Sequence, residues 1–418
     1  MVSTVLADKI GAERALIMRI LVLSAQYPHA GNPTSGIFVQ EQVAALRREG
    51  VDARVLVGRE TWLGPSRPLD SLGAVRRFAT RPRLQWREDG GVLSAEFPTV
   101  VVGRFGEAVR SCSYAAGLRR VSRALRRDFP FEAVHAHTAL LDGAAAVELK
   151  HEFGVPVVLT EHTGPFSVIT RTRAMRRRVR RAILGSDRVV AVSNTLAQTI
   201  RGAFPELHPT IEVIPNGVDQ RLFSIASQAQ AASSRKTILW IGSFGALKRP
   251  HLALSAFAAI AARRPDFDLH MIGRGPLAAE LQRDIVRSGL AARVRIDDYR
   301  DRISLAGTIA RAGVLLVTST VETFSLVTIE ALSSGVPVVS TRCGGPEEIL
   351  VEPWLGRLTG DSTQALAAAL LEVTDALASF RPEQLRAYAV GRFGMSVVTA
   401  RYIALYNSVS ARFRAMAA

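Results

Sequence analysis

Two doubly wound, Rossmann-like α/β domains are predicted by three features: chain length, β-α-β alternation, and a restart of that alternation past the midpoint. At 418 residues the chain is too long for one ordinary domain and suits two of about 200 residues each. Apolar residues make up 48% and charged residues 22% of it, the balance of a globular chain and not of a disordered one. Short apolar runs alternate with amphipathic stretches of helix length, which predicts a parallel sheet covered on both faces.

The elements follow in order. Residues 1–17 carry Asp8, Lys9, Glu13 and Arg14 ahead of Met18 and lack the basic-then-apolar order of a secretory signal, so they are set apart as an N-terminal extension. The first domain is expected over 18–207. Arg19-Ile-Leu-Val-Leu-Ser reads as a buried strand, Gly31 to Gly36 as a loop, and Ile37 to Glu49 as a helix ended by Gly50. Further strands are expected near Arg54 to Val57, Ala133 to Ala136, Val155 to Thr160 and Arg188 to Val192. The second domain, 208–390, has strands at Thr237 to Ile241, Leu269 to Ile272, Val294 to Ile296, Val314 to Thr318 and Val336 to Ser340. Small polar residues from Gln228 to Ser234 form a loop near the junction, and a closing helix within 391–418 could pack on either domain, the N-terminal one included.

Composition narrows the partners. The formal net charge of +16 is almost all arginine, since the only lysines are Lys9, Lys150, Lys236 and Lys248. Such a balance calls for an anionic partner: nucleic acid, a membrane surface or phosphorylated substrates. Aromatics at 6% argue against nucleic acid, whose binders interleave basic residues with stacking rings. Cys112 and Cys343 stand alone, which excludes a disulfide framework and fits a reducing cytoplasm. No stretch reaches the roughly 18 to 20 apolar residues of a membrane span.

In open parallel sheets ligands bind beyond the carboxyl ends of strands, so the motifs there carry most weight. After Val314 to Thr318 comes Val321-Glu-Thr-Phe-Ser-Leu-Val-Thr-Ile-Glu, in which Glu322 enters a loop, a helix starts near Ser325, and Glu330 lies on the helix body. A helix start at a strand end offers free N–H groups to a phosphate, and Glu330 could accept from ribose hydroxyls. By spacing alone the two glutamates are an ordinary pair. The segment continues, however, into Gly335-Val-Pro-Val-Val and Gly344-Gly345 before Glu348, and it is preceded by Ile214-Pro-Asn-Gly-Val-Asp and by Ile272-Gly-Arg-Gly-Pro.

In these motifs the chain, from about Arg19 to the C-terminus, resembles the retaining family 4 glycosyltransferases of the GT-B fold, of the bacterial polysaccharide and glycolipid type. The resemblance implies an acceptor-side first domain and a donor-side second domain facing a central cleft, a UDP- or GDP-sugar as donor, a glycan or lipid-linked acceptor, and neither metal nor cofactor. Phe324, Ser325, Leu326 and Glu330 fall in the donor-binding element, and Arg274 in the nucleotide-side turn. Gly242-Ser-Phe-Gly-Ala-Leu-Lys-Arg corresponds to a loop in which the family commonly places an Arg and a Lys on the donor diphosphate. Lys248 matches the Lys, Ser243 replaces the Arg, and whether Arg249 compensates is left open. Read without the family, Lys248 is a surface lysine or a point-charge phosphate ligand. Gly36 resembles the glycine loop beneath the pyrophosphate. His162, at the carboxyl end of its strand, is implied to contact the transferred sugar, a core histidine being the alternative; His135 reads as packing and His137 as a further cleft candidate. Glu322, Lys248 and His162 are thus the implied catalytic groups, Glu322 as a sugar ligand or as a second, nucleophilic carboxylate.

Two features remain. Asp266-Phe-Asp268 spells a metal-binding D-x-D but sits at the amino end of its strand, away from the ligand crevice. Arg171 to Leu184 places Met175, Val179, Ala182 and Ile183 on one stripe of a helix with arginines on the other faces. This helix and the basic stretch Arg119 to Arg127 are either solvated faces or a dock for anionic lipid at the inner membrane face. The rival functions are a GT-B-like epimerase, a phosphorylase, for which no pyridoxal lysine stands out, and a basic nucleic-acid binder.

Overall fold

A computed structural model describes residues 18–63, 84–102, 106–207, 210–226, 236–299 and 301–417. The expected extension at 1–17 and the Gln228 to Ser234 loop lie outside the described residues.

The first domain holds β1 (Arg19–Ser24), β2 (Asp52–Leu63), β3 (Arg87–Asp89), β4 (Val92–Val102), β5 (Ala133–His137), β6 (Val157–Glu161), β7 (Arg188–Ala191) and β8 (Ile211–Val213). They form one sheet ordered β3-β4-β2-β1-β5-β6-β7-β8, parallel except for the β3–β4 hairpin at its edge. Because β8 pairs with β7, the first sheet runs past the expected boundary at 207. The period-2 alternation in β1 divides its neighbours. Ile20 and Val22 pack on α1 (Ile37–Arg48), while Leu21 and Leu23 face the core beneath α2 (Gly106–Asp128), α3 (Ala144–Phe153), α4 (Arg173–Gly185) and α5 (Asn194–Ala203).

The second domain repeats the plan with β9 (Lys236–Ile241), β10 (Phe267–Ile272), β11 (Val294–Asp297), β12 (Val314–Val317), β13 (Val338–Thr341) and β14 (Gly356–Thr359), all parallel, in the order β11-β10-β9-β12-β13-β14. On one face Ile238 and Trp240 meet α6 (Pro250–Ile260), α7 (Ala278–Arg287) and, later in the chain, the helix Thr363–Asp375. On the other, Leu239, Leu315 and Val317 share a core with α8 (Arg302–Ala310), α9 (Leu326–Ser333) and the inner face of the first domain. A two-domain GT-B arrangement results.

The chain then turns back. After α10 (Gly345–Ile349), α11 (Thr363–Asp375) and α12 (Pro382–Phe393), α13 (Met395–Ala417) crosses to the first sheet, where Val398, Tyr402, Leu405, Tyr406 and Val409 join the α1 face. The junction loop holds this crossing in place: Val218 N–H donates to Phe393 O and Met395 N–H to Val218 O, at 2.8 and 2.9 Å. Among the described residues no helix is long and apolar enough to cross a membrane.

Candidate active site

The carboxyl ends of both sheets point at one another, and the conspicuous sequence motifs meet there. Glu322 lies in the loop after β12, its backbone paired with the Gly344-Gly345 turn: Glu322 N–H donates to Cys343 O and Gly345 N–H to Glu322 O. A β-carbon on Gly345 would lie 2.1 Å from Phe324 O, so the close approach of the two loops requires glycine. The Glu322 carboxylate accepts from Lys248 Nζ at 2.5 Å and from Ser319 Oγ at 2.7 Å. Phe324 is buried against Phe393, and Ser325 starts α9 at a positive φ of 82° with its hydroxyl on Thr328.

Beside this loop lies a cavity of 330 Å³ lined from both domains, by Asn32, Thr34 and Ile37 of the first and by Ser243, Arg274, Leu326 and Glu330 among others of the second. Lys248 stands at its margin, its aliphatic stem against Gly242. Gly36 does not line the cavity but permits it. With φ of 59° it turns the chain into α1, and a β-carbon there would overlap Gln26 O at 2.0 Å.

Two cations prove to be occupied. Arg249, itself at positive φ, donates to Thr318 O, Ser319 O and Asp361, so its guanidinium braces the end of β12 and is not directed at the cavity. Arg274 lines the cavity but is held by Asp298 at 2.8 Å.

His162 comes to the same place from the other domain. Its carbonyl accepts from Thr323 Oγ1 at 3.0 Å, one residue from Glu322. Its ring tilts against Phe38 and is stacked on His137, with Nε2 2.9 Å from His137 Nδ1. Burial lowers the His162 pKa to about 3, against a small opposing hydrogen bond from Asn216. His137 is shifted well below its ordinary value by burial and by His135. The His162 ring is therefore neutral imidazole, able to hydrogen-bond but not to supply a charge.

The chain matches known family models. Residues 35–222 match Glycosyltransferase Family 4 and residues 235–376 match Glycosyl transferases group 1. The chain is a family 4-type GT-B glycosyltransferase. A D-inositol 3-phosphate glycosyltransferase of Pseudarthrobacter chlorophenolicus is 25% identical over 361 residues, covering 79% of this chain and 80% of its own. Among solved structures, the sucrose-phosphate synthase of Thermosynechococcus elongatus superposes with a TM-score of 0.72 at 18% identity, over 94% of this chain and 100% of that one. Anabaena HepE, solved in complex with UDP-glucose, superposes at 0.66 and 18% identity, over 94% and 100%.

Two further glutamates of this glycosyltransferase shape the site, Glu348 from the motif already quoted and Glu161 without a sequence signal of its own. Glu161 receives Ala139 N–H, His162 N–H and Thr163 N–H at 2.7 to 2.8 Å, fixing the loops after β5 and β6. Glu348 takes four hydrogen bonds from Asn194 and Thr195 at the start of α5. Although burial pushes its carboxyl up, those bonds hold it below the usual range.

The D-x-D carboxylates of the glycosyltransferase face arginines: Asp266 is forked by Arg264, and Asp268 is 2.8 Å from Arg293 Nε. A grouping that spacing did not foretell joins His251, Glu280 and Asp284, whose ligand-type atoms lie within 4.8 Å of one another; Asp284 is already shared by His251 and Arg287, and none of the three lines the cavity.

Proposed function

We propose that the enzyme transfers a sugar, with retention and without a divalent metal, from a UDP- or GDP-sugar to a glycan or lipid-linked acceptor. The observation that carries this reading is the convergence of Lys248–Glu322, the cavity at Glu330 and His162 at one interdomain cleft. Glu330 would take the ribose hydroxyls, and Lys248 with the N-H groups at the start of α9 would take the diphosphate. Glu322, already tied to Lys248 and Ser319, would hydrogen-bond the sugar, and neutral His162 would meet it from the acceptor side. As the C1–O bond to the diphosphate breaks, the acceptor oxygen bonds to C1 on the same face and its proton passes to the departing phosphate oxygen. Preorganised charge at Lys248 lowers that barrier. HepE, solved with UDP-glucose, supports the donor class, and the arginine partners of Asp266 and Asp268 support independence from a metal at that motif.

The lipid-linked acceptor agrees with a basic face. Arg173, Arg177 and Arg181 of α4 are exposed, and anionic lipid would attract them within a Debye length. The test of the reaction is transfer from UDP- and GDP-hexoses in EDTA, with the product's anomeric configuration read by proton NMR. Activity in EDTA with the donor's configuration kept is expected. Complete dependence on manganese or magnesium, or an inverted product, overturns the proposal.

A further inference from the structure

The donor cavity contains an ion triad that crosses between the domains. Glu330 on α9 is almost fully buried, its side chain 2% exposed, and pairs through Oε1 with Arg302 Nη1 at 2.8 Å. Arg302 opens α8 and turns its remaining nitrogens on the first domain: Nε meets Glu41 Oε1 at 2.8 Å and Nη2 meets Glu41 Oε2 at 3.1 Å, on α1. The same guanidinium lies over the Phe223 ring, 4.7 Å from its centroid, beside the interdomain crossing. Arg302 and Glu330 both line the cavity.

We propose that Arg302 is a positioning residue for donor recognition, aiming Glu330 at the nucleoside ribose while Glu41 of the first domain holds its other edge. Ribose recognition is thereby coupled to the seating of one domain on the other. The proposal rests on the reading of Glu330 as the ribose ligand. Its physical basis is the planar guanidinium, whose rigid fork serves two carboxylates in fixed directions where an ammonium would serve them only as a point charge. Both carboxylates are too buried to be neutralised by water, so each depends on Arg302 for its counter-charge. If Glu41 loses its charge, Arg302 is released from the first domain and drawn toward Glu330, where its N–H groups compete with the ribose hydroxyls for the carboxylate's lone pairs.

The experiment compares calorimetric binding of UDP and GDP with that of their 2′,3′-dideoxy analogues. The wild type is expected to bind the better nucleotide about tenfold more tightly than its dideoxy form, the ratio for one lost charge-assisted hydrogen bond. Glu41→Gln and Arg302→Lys should each bring that ratio close to one by weakening the ribose-bearing ligand alone. A merely structural role would weaken both ligands equally, and that result overturns the proposal. It is also overturned if both variants keep the wild-type ratio while Glu330→Ala abolishes it, which leaves the ribose reading intact. A Glu330→Ala protein with the wild-type ratio instead refutes the ribose reading itself and the coupling with it.

Discussion

Lys248 and Glu322 are 74 positions apart in the chain and form one ion pair in the cleft, with the lysine 31% and the glutamate 12% exposed. Lys248→Ala removes the cation nearest the expected diphosphate and leaves Glu322 with Ser319 as its partner. Binding of the nucleoside diphosphate should weaken by about 1.5 to 3 kcal/mol, the range for hydrogen bonds to charged groups, while the melting temperature changes little because Lys248 is partly solvated. Calorimetric titration of UDP and GDP with melting curves of both proteins checks this; unchanged affinity removes Lys248 from the donor site. At this scale the sequence was readable in placement: Glu322 stands in the loop after β12, Glu330 on the body of α9, and the Gly344-Gly345 turn pairs with Glu322. Arg302 and Glu41 were not, because 261 positions separate them and only tertiary packing joins them. Arg249 misleads for a related reason: its neighbour Lys248 reaches Glu322, while its own αL backbone turns the side chain onto Thr318 and Ser319.

Helix α4 buries Met175, Val179, Ala182 and Ile183, the stripe its periodicity foretold, at 4% exposure or less. Its arginines divide into two groups. Arg176 lies on Phe204, Arg178 donates to Ser111, and Arg180 pairs with Glu206, whereas Arg173, Arg177 and Arg181 are exposed and make no side-chain hydrogen bond, ion pair or ring contact among the described residues. Docking on lipid should therefore depend on the second group. Changing Arg173, Arg177 and Arg181 to Gln should lower binding to anionic vesicles by roughly 3 kcal/mol at low salt, near 1 kcal/mol for each basic residue, without altering the melting temperature. Co-sedimentation with vesicles of anionic and neutral lipid at two salt concentrations measures it. Equal, salt-insensitive sedimentation of both proteins removes this helix from any membrane contact. Strands were legible where apolar runs stand between turn residues, as in β1, β5, β9 and β12. β4 escapes because Pro98 interrupts its pattern, β8 because three residues show too little periodicity, and β14 because Gly356, Arg357 and Thr359 leave it no apolar run.

Across the molecule, a buried hydrogen-bonded chain joins α13 to the first sheet. Tyr406 OH meets His135 Nδ1 at 2.7 Å, and His135 Nε2 meets Thr160 Oγ1 at 2.8 Å. Burial lowers the His135 pKa to about 3, with a smaller contribution from His162. Its ordinary value is 6.5, so below that pH the unfolded chain takes up a proton that the native protein refuses. The associated stability is complete above pH 6.5 and declines toward pH 3, by about 2 kcal/mol at pH 5. His135→Gln should flatten the fall in unfolding free energy between pH 7 and 5 by about that amount, as measured by urea titration; a fall of unchanged steepness would show that His135 is not its source. Two-domain architecture could be read from the repeated alternation, but the destination of the last helix could not, since Tyr402 and Tyr406 are apolar-face residues that would suit either domain.

That destination changes what kind of object the second domain is. Since the polypeptide leaves the first domain after β8 and re-enters it at α13, held on both passages by Val218, Phe393 and Met395, the second domain is topologically an insert within the first. A hybrid enzyme assembled by joining the front of this protein to the back of a relative would exchange α13 along with the second domain and confront the α1 face with foreign side chains. Transplantation should instead take the segment between the two passages as a cassette, leaving α13 with the sheet that Tyr402 and Tyr406 already fit.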